Sequence, residues 1–236
     1  MTRIGLIGAG KIGTALAGLA RGSGHHVVFS NSRGPHTLTG LAARIGTHVK
    51  AGTVREAAAA DIVVLTIPLH RLPSLAAEAR PHLSDRVVID TMNYYPDRDG
   101  RIADLDEHRR TTSELTAEAL PGARIVKAFN NIAHPHLASL ARPKGSPDRS
   151  VLPIASDDAA AKQEATALID DLGYDVLDTG SLREGWRFEN GQPAYCLPYA
   201  ADPTAFMSSA PGNRPLETCT VRAADLKTAL GQASRR

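Results

Sequence analysis

A short apolar run, Ile4-Gly-Leu-Ile7, passes directly into Gly8-Ala-Gly-Lys-Ile-Gly13, and the residues that follow place Ile12, Leu16 and Leu19 on one helical stripe. A strand that turns through three spaced glycines into a helix constrains this fold more than any other feature of the chain. The first glycine permits a tight turn, the second lets backbone come close to a pyrophosphate, and the third lets the helix pack on the strand. The N-terminus of such a helix faces an anion with unpaired N–H groups and the positive end of its dipole. Gly8, Gly10, Lys11, Ile12 and Gly13 are therefore the expected phosphate-binding residues of a dinucleotide site.

The alternation continues along the chain. Short β-branched runs at 3–7, 26–30, 48–51, 62–67, 86–90, 124–128, 151–155 and 174–178 are separated by Ala- and Leu-rich stretches at helical spacing. That order predicts an α/β fold with a doubly wound, mostly parallel sheet and helices on both faces. A long helix is expected over 158–172, capped by Asp157 or Asp158. The polar stretch Arg142-Pro-Lys-Gly-Ser-Pro-Asp-Arg149 can continue neither element, so the reading divides the chain into a dinucleotide-binding domain, 1–145, and a small C-terminal α/β lobe and tail, 146–236. Past Gly180 only 223–230 again has a helical pattern.

The second strand ends in Ser30-Asn-Ser-Arg33, about twenty residues after Gly13, where an NAD-specific protein usually carries a carboxylate for the ribose hydroxyl. None is present. Ser30, Asn31, Ser32 and Arg33 instead offer two hydroxyls, an amide and a guanidinium to a 2′-phosphate, which makes NADP(H) the expected cofactor. The strand ends at Thr66-Ile67-Pro68, Asp90-Thr-Met-Asn93 and Lys127-Ala-Phe-Asn130 should meet in one crevice beside the nicotinamide. Ile67 and Pro68 would make its apolar floor. Asn93 and Asn130 would hold a carboxamide or ribose, with capping or turn formation open for each as the alternative. A ketone or imine acceptor would also need a proton donor, for which His70, Tyr94 and Tyr95 lie nearest.

Composition narrows the partners. The 236 residues carry 27 Lys and Arg against 25 Asp and Glu, with 4% aromatics, which argues against nucleic acid and leaves a small-molecule redox substrate as the expected partner. The apolar runs are too short to span a bilayer and Met1-Thr-Arg3 leads straight into a strand pattern, so no membrane partner and a cytoplasmic location are expected. Two cysteines, Cys196 and Cys219, make neither a disulfide framework nor a zinc site, and His134-Pro-His136 reads as a helix start with solvent-facing rings, so no metal is expected. Cys196, with no evident base, reads as a buried thiol.

With Gly8-Ala-Gly-Lys-Ile-Gly13, Asn31-Ser-Arg33, Val64-Leu-Thr-Ile-Pro68, Asp90-Thr-Met-Asn93, Lys127-Ala-Phe-Asn130 and Ile154-Ala-Ser-Asp-Asp158 in this order, the chain resembles the NADPH-dependent F-420 reductase family. The resemblance covers about residues 3 to 190. It implies a Rossmann fold, NADP(H) as cofactor, and a hydride moved to or from a second redox molecule, in the best-known members the deazaflavin coenzyme F-420. The two rings stack in that family, so no acid–base triad is implied. Members that use the deazaflavin tend to read Gly-Gly-Thr-Gly at the phosphate loop, where this chain reads Gly8-Ala9-Gly10. That difference, with the insertion-like Asn93 to Gly100 and the tail around Trp186-Arg-Phe188 and Pro193-Ala-Tyr195, motivates two further expectations. One is NADPH-dependent reduction of a small carbonyl or imine, and the other an NADP(H)-binding sensor without catalysis. A homodimer is expected, because small lobes of this kind often complete a neighbour's cleft.

Overall fold

The computed structural model describes residues 1–210 and 213–235. Strands β1 (Arg3–Ile7), β2 (His26–Ser30), β3 (Val49–Ala51), β4 (Ile62–Leu65), β5 (Val87–Asp90) and β6 (Arg124–Lys127) form one parallel sheet in the order β3-β2-β1-β4-β5-β6. Every residue of β4 and β5 is buried, as a strand covered by helices on both faces must be. The order reverses between β1 and β4, and the carboxyl ends of those strands open the crevice where such a sheet takes its ligand. Ile7 pairs with Ser30 on one side and Leu65 on the other, so Gly8, Asn31 and Thr66 leave the sheet side by side. β4 stops at Leu65, short of the expected 67. Thr66 still donates its N–H to the Ile7 carbonyl at 2.8 Å, and the chain then turns across the crevice at Ile67 and Pro68.

The helices are α1 (Lys11–Gly22), α2 (Thr39–Ile45), α3 (Val54–Ala58), α4 (Leu72–Leu83), α5 (Pro96–Asp99), α6 (Ala103–Asp106), α7 (Thr112–Ala119), α8 (His134–Ser139), α9 (Ala159–Asp171), α10 (Pro203–Ser208) and α11 (Ala223–Gly231). α1 buries Gly13, Leu16, Ala17 and Ala20 against the sheet. Thr53 and Thr111 start α3 and α7 as capping boxes with Glu56 and Glu114. Asp158 caps α9, its Oδ1 accepting the Ala161 N–H at 2.8 Å, while Asp157 accepts the Leu182 N–H at 3.0 Å.

β7 (Val151–Ile154) and β8 (Asp175–Asp178) pair in parallel in a second, two-stranded sheet. An antiparallel bridge between Lys127 and Ala155 joins it to the end of β6. The polar stretch between Arg142 and Arg149 is tied down by Arg149 itself, which is 6% exposed and donates to Asp170, Asp175 and the carbonyls of Arg142 and Tyr174. One apolar cluster runs beneath it, joining Leu16 and Val126 to Leu152, Tyr174 and Leu226.

Beyond Gly180 the chain holds more structure than the single expected helix. α10 starts at Pro203 with the Asp202 carboxylate accepting the Ala205 N–H at 2.9 Å, and that cap followed by proline is a helix-start signal present in the sequence. Tight turns over Leu182–Phe188 and Leu197–Tyr199 carry Phe188 and Tyr199 into the core. No helix among the described residues is long and apolar enough to cross a membrane.

Candidate functional site

The three glycines of the β1–α1 turn have different tasks. Gly8 has φ +118°, and a Cβ there would sit 2.4 Å from the Thr66 carbonyl oxygen. A Cβ on Gly13 would sit 2.2 Å from the Gly8 carbonyl oxygen. Gly10, by contrast, has nothing within 4 Å of its would-be Cβ, so its outer face is open to a ligand. Thr66 Oγ1 donates to the Gly8 carbonyl at 2.6 Å and holds the turn in place. No side chain caps α1 and its first turn carries no carboxylate, which leaves the positive helix end for an anion.

At the end of β2 the structure corrects one detail. The Ser30 hydroxyl is buried and donates to the Leu6 carbonyl at 3.2 Å, so it is spent inside the sheet. Asn31 builds the loop: its Oδ1 accepts the Arg33 N–H at 2.9 Å and its Nδ2 donates to Thr37 Oγ1 at 3.0 Å. Ser32 and Arg33 are left exposed at the tip. Among the described residues no carboxylate pairs with Arg33, which keeps its guanidinium free for a phosphate.

A cleft of about 850 Å³ opens on the glycine turn. Gly10, Lys11 and Ile12 line one side and Ile67, Pro68 and Met92 the floor. Asn93 and Asn130 tie the ends of β5 and β6 together. Asn93 Nδ2 donates to the Asn130 carbonyl at 2.8 Å, and Asn130 Nδ2 donates to Asn93 Oδ1 at 3.1 Å and to the Phe188 carbonyl at 2.9 Å. Both amides are thus scaffold, yet the buried Oδ1 of Asn130 has no partner. It is an acceptor waiting for a donor such as a carboxamide NH₂. Phe129 and Cys196, both with φ 60°, also line the cleft, so two non-glycine residues in the left-handed region meet at this one site.

This geometry has counterparts in known proteins. The sequence model of the family described as NADP oxidoreductase, coenzyme F420-dependent, matches residues 3–94. The F420-dependent NADP reductase of Methanothermobacter thermautotrophicus is 28% identical over 198 residues, covering 79% of this chain and 84% of that protein. A hypothetical protein of Sinorhizobium meliloti has the same fold with a TM-score of 0.73 and 32% identity, over 84% of this chain and 94% of that one. The family's model and these relatives together indicate an NADP-dependent oxidoreductase. The YjhV protein of Escherichia coli is 37% identical over 59 residues, so the chain matches 43% of that relative's length.

In this NADP oxidoreductase the far wall of the cleft comes from residues beyond the matched 3–94. Of the three candidate proton donors only Tyr95 lines it. His70 turns away to Asp99, with Nδ1 2.9 Å from Oδ1. The Tyr94 hydroxyl is engaged with the Gly100 carbonyl, Asp106 and the Ile102 N–H, and its ring lines a separate cavity of about 120 Å³ with Trp186 and Arg235. Successive side chains of an extended segment point to opposite sides, which separates Tyr94 from Tyr95. The Tyr95 hydroxyl is hydrogen-bonded to that of Tyr195, which also lines the cleft. Burial raises the pKa of both phenols, so the pair is neutral around pH 7.

Two further side chains depart from expectation or extend it. His134 does begin α8, but His136 is fully buried rather than solvent-facing. Its Nε2 donates to the Pro215 carbonyl at 3.1 Å, and the Phe206 ring lies 5.5 Å away. Cys196 is buried as expected, and burial pushes its thiol up to about 12, whereas Cys219 is exposed. Iodoacetamide on the folded protein at neutral pH should therefore alkylate Cys219 and leave Cys196 intact, as read by mass spectrometry. Rapid labelling of both would mean that the wall carrying Cys196 is open.

Proposed function

We propose that this oxidoreductase moves a hydride between NADP(H) and a second redox molecule held in the same cleft, in its most specific form the deazaflavin coenzyme F-420. The observation that carries the reading is an open phosphate turn at Gly10 together with an Arg33 guanidinium, exposed at the end of β2 and without a carboxylate partner, at the position where a carboxylate would repel a 2′-phosphate. The residues present fit the dinucleotide. The N-terminus of α1 would hold the pyrophosphate, Ser32 and Arg33 the 2′-phosphate, and Asn130 Oδ1 the carboxamide. When bound, the reduced nicotinamide supplies two electrons as a hydride. Ile67, Pro68 and Met92 keep water from the reacting carbons, and the cleft is large enough to set an acceptor against the cofactor.

The name of the Methanothermobacter relative supports the deazaflavin as that acceptor. NADPH oxidation followed by absorbance with purified protein and F-420, with NADH in parallel, tests it. Turnover with NADPH alone would bear out both cofactor and acceptor. The Tyr95–Tyr195 pair favours a second reading, reduction of a small carbonyl or imine, because a hydroxyl facing the cleft can give its proton to the oxygen or nitrogen that receives the hydride's electrons. Turnover of such compounds without F-420, lowered tenfold or more in Tyr95→Phe, would support that reading.

Arg33→Ala separates the cofactors. Loss of charge-assisted hydrogen bonds to a phosphate costs roughly 1.5–3 kcal/mol, so NADPH should bind about ten- to a hundredfold more weakly while NADH is unchanged in fluorescence titration. Equal losses for both would remove Arg33 from the 2′-phosphate site.

A further inference from the structure

The cleft is lined by three cationic side chains, Lys11, Arg98 and Arg214, and among the described residues by no carboxylate. Two of these cations are accounted for. Lys11 stands at the phosphate turn as the first residue of α1. Arg98 donates to both oxygens of Asp99 and to the Asn93 carbonyl at 2.8 Å.

Arg214 is not accounted for. Its guanidinium stacks on Phe206, 4.5 Å from the ring centroid, and its Nε is buried without a hydrogen-bond partner. No described carboxylate forms an ion pair with it. The backbone beside it is held where His136 meets the Pro215 carbonyl, and His136 in turn packs near Phe206. The group is therefore positioned by its neighbours rather than left to wander. Burial raises the Tyr95 phenol and the Cys196 thiol, and the Arg214 charge pulls both back down, which places it on the same side of the cleft as the Tyr95–Tyr195 hydroxyl pair.

A partly desolvated cation without a counter-ion loses hydration uncompensated, and an anion bound in the cleft would supply the counter-charge. Arginine suits that task because its planar fork matches a carboxylate or phosphate and its face stays on the aromatic ring.

We propose that Arg214 is the anion-binding residue of the acceptor subsite, so that the molecule exchanging a hydride here carries a carboxylate or phosphate group. The proposal rests on the hydride-transfer reading above. It adds a specificity element from a part of the chain, after Gly191, that lies beyond the motifs of the dinucleotide half.

The test is calorimetric titration of the full chain saturated with NADP⁺, using malonate, inorganic phosphate and neutral malonamide as probes. Malonate or phosphate is expected to bind at least tenfold more tightly than malonamide, and whichever is tighter names the anion class. Arg214→Gln should lose that binding tenfold or more with NADP⁺ affinity within twofold, and Arg214→Lys should keep part of it. The melting temperature of each variant separates loss of a site from loss of the Phe206 packing. Equal binding of malonate and malonamide, no anion binding, or an equal loss for NADP⁺ in Arg214→Gln would overturn the proposal. Failure of NADP⁺ itself to bind would instead sink the functional reading, so the two failures are distinct.

Discussion

Gly13→Ala is expected to bind NADPH about a hundredfold more weakly than the unaltered protein, a loss of about 2.7 kcal/mol. The new methyl group would lie 2.2 Å from the Gly8 carbonyl oxygen and 2.7 Å from Thr66 Oγ1. The first is backbone, and the second is already committed to that same carbonyl at 2.6 Å. The strain can be relieved only by moving the Gly8–Gly10 turn away from the start of α1 by about 1 Å, a displacement large enough to spoil aligned contacts to a ligand. Stability should change little, because alanine is the better helix former by about 1 kcal/mol and offsets part of the strain. Gly18→Ala is the control. It lies in the same helix with open space around it, so it should raise stability by roughly 0.5–1 kcal/mol and leave binding alone. Urea denaturation and NADPH titration on the two variants check both halves. A Gly13→Ala protein that binds NADPH normally would show that the turn can shift without cost to the phosphate site.

This turn was legible because everything it needs lies within the sixteen residues from Ile4 to Leu19: an apolar strand, spaced glycines and a helical stripe. The alternation of strands and helices that makes the sheet parallel follows from the same kind of local pattern. What the sequence hides depends on burial or on distant chain. β2 is buried at four of its five positions, so its sequence carries no alternation to say that the Ser30 hydroxyl points inward. Tyr94 and Tyr95 are equivalent as letters, and only the path of residues 93–95 across the cleft assigns one to Asp106 and the other to the site. His136 reads as solvent-facing beside a proline, but Phe206 and Pro215, some 70 to 79 residues later, cover it. Tyr195 and Arg214 reach the cleft by the same long route, and no spacing rule connects them to Gly10. The dinucleotide half of the site is thus local in sequence, while the acceptor half is assembled by tertiary packing.

The largest loss of stability should come from Lys127→Met, about 3 kcal/mol in urea denaturation. Lys127 ends β6 with a side chain that is 0% exposed. Its Nζ donates to the Met92 carbonyl at 2.8 Å and to Thr112 Oγ1 at 2.6 Å, and lies 3.3 Å from Glu189 Oε1. Thr112 passes the chain on, donating its hydroxyl to the same Glu189 oxygen at 2.5 Å and its N–H at 3.1 Å. One buried cation therefore joins the ends of β5 and β6, the start of α7 and the segment after Phe188. Methionine keeps most of the stem's volume, so the measured loss reports the charge and its hydrogen bonds rather than a cavity. Glu189, left without its cation, is 17% exposed and can recover some hydration, which sets the expectation at the lower end for a broken buried pair. If the cost is the stranded carboxylate, Glu189→Gln in the Lys127→Met background should restore a large part of it, giving a coupling energy above about 1 kcal/mol in the double-mutant cycle. Additive losses would place the energy in the contacts of Lys127 with Met92 and Thr112 instead. The network also bears on the cleft, because the left-handed Phe129 and the half-satisfied Asn130 follow Lys127 within three residues, and Asn130 is bonded to Phe188 next to Glu189. A strained site of this kind persists only where its surroundings over-determine it, and Lys127 is the group that binds those surroundings together.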